Sequence, residues 1–439
     1  MRTMKNQMKQ TFLLQRLPAR HLSMLRQIGR LADEQDLPVY LVGGVVRDLL
    51  LKRTNWDLDL TVEGDGIAFA RLVADRYRAG LATFERFATA RLVMPNGIKV
   101  DIASTRRESY VRPAALPNVE PATLHEDLRR RDFTINAMAI QLNSATFGHL
   151  HDPYGGQGDL RARTIRVLHE GSFVDDPTRM FRAIRFAQRF GFRLESQTAR
   201  LLKAGAATDL ITQLSGPRLC NEILLLASEV CPQRSFDWLR RLKLLRFLHP
   251  DLRYAGPARR IVQSLPRALA WWWRRCNGDS IDRPLLYVMA LLAGAEQPII
   301  EAVGMRLMLS NEQAKKVRAG GQRLKSVVRG LGEARRLRPS EVHRLLNGLP
   351  DEALVLCLAM VKERTAMLAR VKRRICDYVK RLRVTKPALG GDELLHMGVE
   401  PGPAVGTILA LLLEAKLDGV ARGKADERAF VRARLAGDA

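Results

Sequence analysis

Hydrophobic and polar positions change period several times along the first third of the chain. Over residues 21–35 the apolar side chains Leu22, Leu25, Ile28, Leu31 and Ala32 recur at helical spacing, which predicts an amphipathic helix. An apolar run at 39–42 reads as a strand, breaks at Gly43 and Gly44, and passes into a helix-like run from Val45. A second helix is expected over 66–77, followed by β-like runs at 82–87 and 90–94. Pro95-Asn96-Gly97 supplies a hairpin turn into a further strand at 98–103. This alternation predicts a mixed α/β head. Residues 106–125, rich in Pro and Ala, read as a loop, and 151–160 has the Gly and Pro density of a turn, with Asp152 and Asp159 as turn or cap residues. Beyond it the pattern is helical to the end, while residues 1–20 read as a ragged lead.

Length and charge narrow the class. A chain of 439 residues exceeds one ordinary core and divides into two to four domains. Lys and Arg number 72 against 46 Asp and Glu, a formal net charge of +26, so the expected partner is a polyanion, and nucleic acid suits it better than a membrane surface. No apolar run approaches the roughly 18 residues of a spanning helix; the longest, 284–295, reads as a core helix. Five widely spaced cysteines with no CxxC pair predict a reducing compartment and no structural zinc. The acid-poor start is compatible with a transit peptide, but its apolar segment at 12–14 is too short for a signal sequence, and an untargeted cytoplasmic protein is expected.

Candidate chemistry begins at the glycine pair. Without a Cβ, Gly43 and Gly44 let backbone N–H groups approach an anion. Asp57 and Asp59, at i and i+2 on a strand, point to one face while Trp56 and Leu58 point to the other. Mg²⁺ prefers one or two carboxylates plus phosphate oxygens, so the combination suggests metal-assisted chemistry on a nucleoside triphosphate. Asp101, on an otherwise apolar strand, is costly unless it is metal-bound or paired, with Arg106 or Arg107 as the nearest candidates.

The joined pattern GGxVRDxLL and DxDL resembles the head of class II tRNA nucleotidyltransferases and bacterial poly(A) polymerases, in the nucleotidyltransferase superfamily that includes DNA polymerase β. Lys52 departs from it, since that family usually has glycine there. The resemblance implies that Asp57 and Asp59 hold two Mg²⁺, that Asp101 is a third catalytic carboxylate, and that Gly43, Gly44 and Arg47 steady the triphosphate. RRDFTINAMA, residues 130–139, is the strongest ten-residue match; it implies that Arg131 and Asp132 contact the incoming nucleotide, Asp132 on the ribose, with Asn136 in the same group. In FVDDPTRMFRAIRF, Pro177 suits a first helical position with Asp176 as N-cap, and Arg179, Arg182 and Arg185 recur along one helix side. The resemblance makes Asp176 and Arg179 a protein template. A carboxylate facing an exocyclic amino group and a guanidinium facing a ring nitrogen accept C and A and reject U and G. The family usually has Glu-Asp where this chain has Asp175-Asp176. The segment 126–130 also fits EDxxR but precedes the wrong element and is set aside. Arg218 and Glu222, in a helix expected from Ser215, are read as braces.

After residue 245 the signals are weaker. Trp271, Trp272 and Trp273 read as core and rim. The run 361–383 carries Lys372, Arg373, Arg374, Lys380 and Arg381, a density suited to a phosphate backbone and to salt-dependent RNA binding. The segment GGDELLHMGVEPGPAVGTIL again resembles bacterial members. The expected division is a nucleotidyltransferase head at 1–165, a helical neck at 166–245, a helical body at 246–355 and a helical tail at 356–439. The expected reaction adds C and/or A from CTP and ATP to the 3′ end of tRNA. The short 106–125 loop leaves a partial A-adding or CC-adding enzyme as an alternative, beside a poly(A) polymerase and a non-catalytic RNA-binding protein. Oligomeric state is not legible.

Overall fold

The computed structural model describes residues 13–54, 56–112, 114–115, 117–276, 281–321 and 323–436. The chain forms two compact units, Met1–Glu222 and Ile223–Ala439.

The first unit is built on a seven-stranded mixed sheet. Its strands are β1 (Val39–Val42), β2 (Leu58–Val62), β3 (Gly80–Phe84), β4 (Thr89–Val93), β5 (Lys99–Ser104), β8 (Ala139–Gln141) and β9 (Leu150–His151), in the order β3-β4-β5-β2-β1-β8-β9. β2 and β5 run parallel and the other neighbours antiparallel. The central strands bury one face, on which Val39, Leu41, Leu60, Val62, Val100 and Ile102 stand together, and carry Asp59 and Asp101 on the other. The helix Gly66–Tyr77 is started by Asp65, whose carboxylate accepts from the Ile67 and Ala68 N–H groups, and it buries Ile67, Phe69, Ala70, Val73 and Ala74. That face packs on β3, β4 and β5, each large side chain contributing about 1.5–3 kcal/mol.

Two expectations need correction. Residues 106–125 are not a plain loop: β6 (Arg106–Ser109) and β7 (Asn118–Pro121) pair as an antiparallel ribbon with the Arg107–Glu120 ion pair across it. The helix Leu124–Arg129 follows behind a Thr123–Glu126 capping box. Nor is the rest purely helical, since β10 (Thr164–Ile165) and β11 (Arg193–Leu194) form a short parallel pair. Asp152 does cap the helix Gly156–Ala162, accepting from Gly156 and Gln157 N–H. Asp159 is a buried brace instead, held by the Thr134 hydroxyl and Arg166. Lys52 adopts φ 58, the left-handed conformation that favours the family's usual glycine.

The second unit is helical throughout its described residues. The helix Gly256–Cys276 packs on Asp351–Met360 and on Arg283–Leu291; the latter is buried from Leu285 to Leu291, which makes the apolar run a core helix. Trp272 is fully buried and Trp273 is 49% exposed. No helix among the described residues is long and apolar enough to cross a membrane. All five cysteines are free thiols.

Candidate active site

Strand register places the acidic residues in one row. Val42 lies opposite Asp59, Asp59 opposite Asp101, and Asp101 opposite Arg91. Residues directly opposite on neighbouring strands share a face, so these side chains stand side by side. Asp57, just before β2, and Asp59 are exposed while Leu58 and Leu60 are buried, the alternation expected of an extended Asp-x-Asp. Gly43 follows Val42 with φ +77, and a Cβ there would lie 3.2 Å from Arg131 Nη1 and 3.6 Å from Asp59 Oδ2. Only glycine leaves this corner open.

Asp59 reaches solvent yet is closely surrounded by protein. That enclosure, opposed by Arg131 and reinforced by Asp101 and Asp57, pushes its carboxyl up to about 6. A carboxylate so disfavoured as an anion is a good acceptor for a cation. Asp101 is satisfied differently. Its two oxygens accept from Arg91 Nε and Nη2, both at 2.7 Å. The alternative partners expected from sequence are elsewhere, Arg107 on Glu120 and Arg106 on Glu108. Among the described residues no three His, Cys, Asp or Glu side chains form a ready metal cage. A pair of carboxylates on one strand face suits Mg²⁺, which takes its remaining ligands from phosphate and water.

Beside the row opens a cavity of about 500 Å³, which Gly43, Gly44, Arg47, Asp57, Asp59, Arg131, Asp132, Asn136, Asp176, Arg179, Arg182 and Arg185 all line. Thus the structure brings together the head and neck residues singled out from sequence. Several are spoken for by one another. Arg47 is buried, pairs with Asp48 through Nε and Nη2, donates from Nη1 to Asn136 Oδ1 at 2.6 Å, and lies over the Phe190 ring at 4.7 Å. Expected to steady a triphosphate, it lines the cavity and braces Asn136. Asn136 Nδ2 donates to Asp132 Oδ1, and Arg182 donates from Nε and Nη2 to Asp132 Oδ2 at 2.8 and 2.6 Å. Burial raises the Asp132 carboxyl, but Arg182, Asn136 and Arg179 together outweigh it and hold the group below the usual range. The chain Arg47–Asn136–Asp132–Arg182 therefore fixes Asp132 as an anion facing the cavity.

Arg131 is positioned by a residue the sequence reading set aside. Asp127, fully buried, accepts from Arg131 Nη2 at 2.9 Å and from Arg130 Nε and Nη2 at 3.0 and 2.7 Å. Burial opposes the charge, but Arg131 and Arg130 hold Asp127 below the carboxylate range. Its EDxxR setting is coincidental; the spacing that matters is i, i+3 and i+4 from Asp127 to its two arginines.

Asp176 divides its work between two oxygens. Oδ1 accepts from Thr178 N–H, the Thr178 hydroxyl and Arg218 Nη2 at 3.0, 2.6 and 2.8 Å, while Oδ2 has no hydrogen bond among the described residues. The N-cap of the helix Thr178–Phe190 is Pro177 and not Asp176 as expected, but Asp176 Oδ1 still holds the Thr178 N–H at its start while Oδ2 is left to the cavity. Arg218 also donates from Nη1 to the Ala114 carbonyl at 2.9 Å, tying the ribbon's tip to Asp176. Arg179 is buried and anchored by Ser172 Oγ and the Arg130 carbonyl. Glu222 and Arg185 are buried together with 3.9 Å between charges, and burial raises the Glu222 carboxyl despite Arg185.

In the second unit, the helix Ala366–Lys380 carries the expected basic run, but its members differ. Arg373 and Lys380 are exposed. Lys372 stands over the Trp271 ring at 5.6 Å, and exposed Arg381 pairs with Asp377. Arg374 must be withdrawn from this face. It is 5% exposed and donates to the carbonyls of Leu331, Glu333 and Arg335, closing the end of the helix Arg323–Gly332.

The chain is similar to known proteins over most of its length. Residues 39–166 match the Poly A polymerase head domain, and 191–255 match the probable RNA and SrmB-binding site of polymerase A. The chain is 39% identical over 415 residues to an A-adding tRNA nucleotidyltransferase of Geobacter sulfurreducens, covering 94% of this chain and 47% of that protein, so it spans about half of that relative's length. It is 32% identical to an A-adding tRNA nucleotidyltransferase of Halalkalibacterium halodurans, covering 94% and 92%. To a CC-adding tRNA nucleotidyltransferase of Deinococcus radiodurans it is 31% identical, covering 91% and 90%. Among solved structures, a CCA-adding enzyme in its apo form II superposes with a TM-score of 0.82 at 35% identity, covering 96% and 97%. The Thermotoga maritima CCA-adding enzyme complexed with tRNA superposes at 0.75 with 33% identity and the same coverage. The head-domain match, the sequence similarity over 94% of the chain and the superposition agree, and the chain belongs to the tRNA nucleotidyltransferase and poly(A) polymerase family.

Proposed function

We propose that this protein is a template-independent RNA nucleotidyltransferase that extends the 3′ end of tRNA with C and/or A, and that addition of the terminal A to a CC end is the first activity to seek. The observation that carries the reading is the single cavity joining Gly43, Gly44, Asp57 and Asp59 to Asp132 and Asp176. The narrower choice is supported by two relatives named as A-adding enzymes and by the short ribbon at 106–121.

In this reading the RNA 3′-hydroxyl attacks the α-phosphate of CTP or ATP. A P–O bond forms to the 3′-oxygen, the bond to the β-phosphate breaks, and diphosphate leaves with its electron pair. Asp57 and Asp59 would hold Mg²⁺, which supplies charge neutralisation at the triphosphate and lowers the pKa of the attacking hydroxyl. Backbone N–H groups at Gly43 and Gly44 and the Arg131 guanidinium steady the phosphates. Arg47 acts at one remove, through Asn136. Asp132, pinned by Asn136 and Arg182, accepts from the ribose hydroxyl as well, and a deoxyribose forgoes that hydrogen bond. Asp176 Oδ2 accepts from the exocyclic amino group of A or C and Arg179 donates to the neighbouring ring nitrogen, whereas U and G offer a carbonyl and an N–H there. Asp101 serves as third carboxylate only after Arg91 yields it. Most of the rate enhancement then comes from orientation and fixed charge.

Arg373, Lys380 and Arg381, with Lys372, are proposed to meet RNA phosphates. We place the activity in the cytoplasm, a compartment that the five free thiols suit. The deciding experiment is primer extension with Mg²⁺ and tRNA transcripts ending before CCA, after C or after CC, each given CTP, ATP or both, beside an unstructured RNA. Extension confined to tRNA supports the proposal, and the transcript extended names the nucleotides added. Long A tails on unstructured RNA mean a poly(A) polymerase, and no extension by wild type while Asp57→Ala and wild type bind RNA alike means a non-catalytic binder.

A further inference from the structure

Outside the nucleotide cavity, the second unit holds a groove of about 350 Å³ between the helix Gly256–Cys276 and the segment 361–372. Arg267, Trp271 and Arg274, spaced i, i+4 and i+7, lie along one side of that helix. Arg364 and Lys372 face them across the groove, and Ala268, Leu358 and Leu368 give it an apolar floor. Four cations meet one carboxylate, Glu363, which is taken up by Arg267 at 2.5 Å. Among the described residues neither Arg274 nor Arg364 has an ion-pair partner, and Arg274 donates there from Nε to the Ala270 carbonyl of its own helix. Arg364 is held at φ 55, a left-handed conformation that a non-glycine residue adopts at a cost. Lys372 rests its ammonium against the Trp271 indole at 5.6 Å, a contact that a flat ligand could replace or share.

We infer that this groove is an RNA site that takes one unpaired nucleotide of the substrate away from its reacting 3′ end, the base lying on Trp271 and the adjoining phosphate between Arg274 and Arg364. The inference rests on the reading of the protein as an RNA nucleotidyltransferase. An aromatic ring bordered by unmatched cations is the arrangement that single-stranded nucleic acid selects, because every base has a flat face and every linkage a negative charge. A phosphate site alone needs no apolar floor, and an apolar ligand site needs no excess of arginine. The groove holds both, in a volume that admits one nucleotide.

The test compares wild type with Trp271→Ala, Trp271→Phe and the double variant Arg274→Glu/Arg364→Glu. Binding of a tRNA transcript ending in CC is measured by fluorescence anisotropy, beside kcat and the KM for ATP at saturating RNA. Base stacking on an aromatic ring, worth about 1–3 kcal/mol, predicts a Kd raised about 5- to 150-fold in Trp271→Ala. Trp271→Phe stays near wild type, and kcat and the ATP KM are unmoved in both. The double variant weakens binding and flattens its salt dependence. A 4-thiouridine-substituted transcript irradiated on the wild-type protein yields an adduct on the peptide containing Trp271. Native circular dichroism with unchanged RNA affinity in Trp271→Ala overturns the inference. Should Trp271→Ala fail to fold, unchanged affinity in the double variant, whose side chains are exposed, overturns it equally. If wild type extends no RNA yet binds it in a Trp271-dependent way, the groove stands and the catalytic reading falls; if it extends tRNA with Trp271 irrelevant, the reverse holds.

Discussion

Replacing Asp127 by Asn tests whether the buried carboxylate positions Arg131 in the cavity. The change keeps size and shape but removes the charge that three donors from Arg130 and Arg131 share. Deleting one partner of a buried ionic network typically costs about 3–5 kcal/mol because the other charge is stranded. Arg130 retains Glu108 at 2.7 Å and the Arg106 carbonyl at 3.2 Å. Arg131 keeps no other ion-pair partner among the described residues, but its side chain is 18% exposed at the cavity and water can reach it, so the lower end, about 3 kcal/mol, applies. For a unit of 222 residues this lowers Tm by about 6–12 °C. Arg131 Nη1 stands beside Gly43, so loss of its anchor also displaces a group facing the triphosphate. A misplacement of about 1 Å costs on the order of 100-fold in rate. Calorimetry and steady-state ATP addition to tRNA ending in CC read the two effects. A Tm within about 2 °C of wild type together with kcat/KM within about threefold would refute the argument, since neither stranded charge nor displaced guanidinium could then be present.

Four further outcomes are expected. Protons compete with Mg²⁺ at Asp59, whose carboxyl titrates near 6, so Mn²⁺ affinity followed by electron paramagnetic resonance should be flat above that pH and fall about tenfold per unit below it. The signs for stability are opposite at the two aspartates: without metal, protonation of Asp59 stabilises the fold as pH drops from about 6 toward 4, whereas Asp127, held low, stabilises it above the unfolded value of about 4 and loses that contribution as pH falls through its folded value. Arg374→Ala, which strands three carbonyls, should cost about 2–4 kcal/mol in denaturant melts without altering the salt slope of RNA binding, while Lys380→Ala and Arg373→Ala should each reduce that slope by about 0.7–0.9 at little cost in stability. Arg218→Gln releases both the Ala114 carbonyl and Asp176 Oδ1; misincorporation from UTP or GTP should rise about tenfold, with Arg218→Lys intermediate, and unchanged fidelity would show that Arg218 only braces the helix.

Local patterns carried the elements and the chemical types. The helix Gly66–Tyr77 occupies the span that its apolar spacing predicted, and the Asp57/Leu58/Asp59/Leu60 alternation is written in the order of the residues themselves. The ribbon at 106–121 was not legible, because its pairing couples residues up to 15 apart whose composition resembles a loop.

Which charges stand ready for a ligand, by contrast, was decided by tertiary pairing. Asp101 meets Arg91 because β4 and β5 are in one register, Asp132 meets Arg182 across 50 positions, and Arg374 turns inward because another helix ends where its guanidinium can reach. In sequence these arginines look like their neighbours Arg373 and Arg381. Charge and periodicity are properties of the chain, so the sequence by itself determined a basic protein with an α/β head and a helical remainder, carrying a glycine pair and an Asp-x-Asp. Hydrogen-bond partners are properties of distance in space, and only the folded protein could show that Asp127 holds Arg131, that Arg47 is a brace, and that Asp176 keeps one oxygen for the cavity.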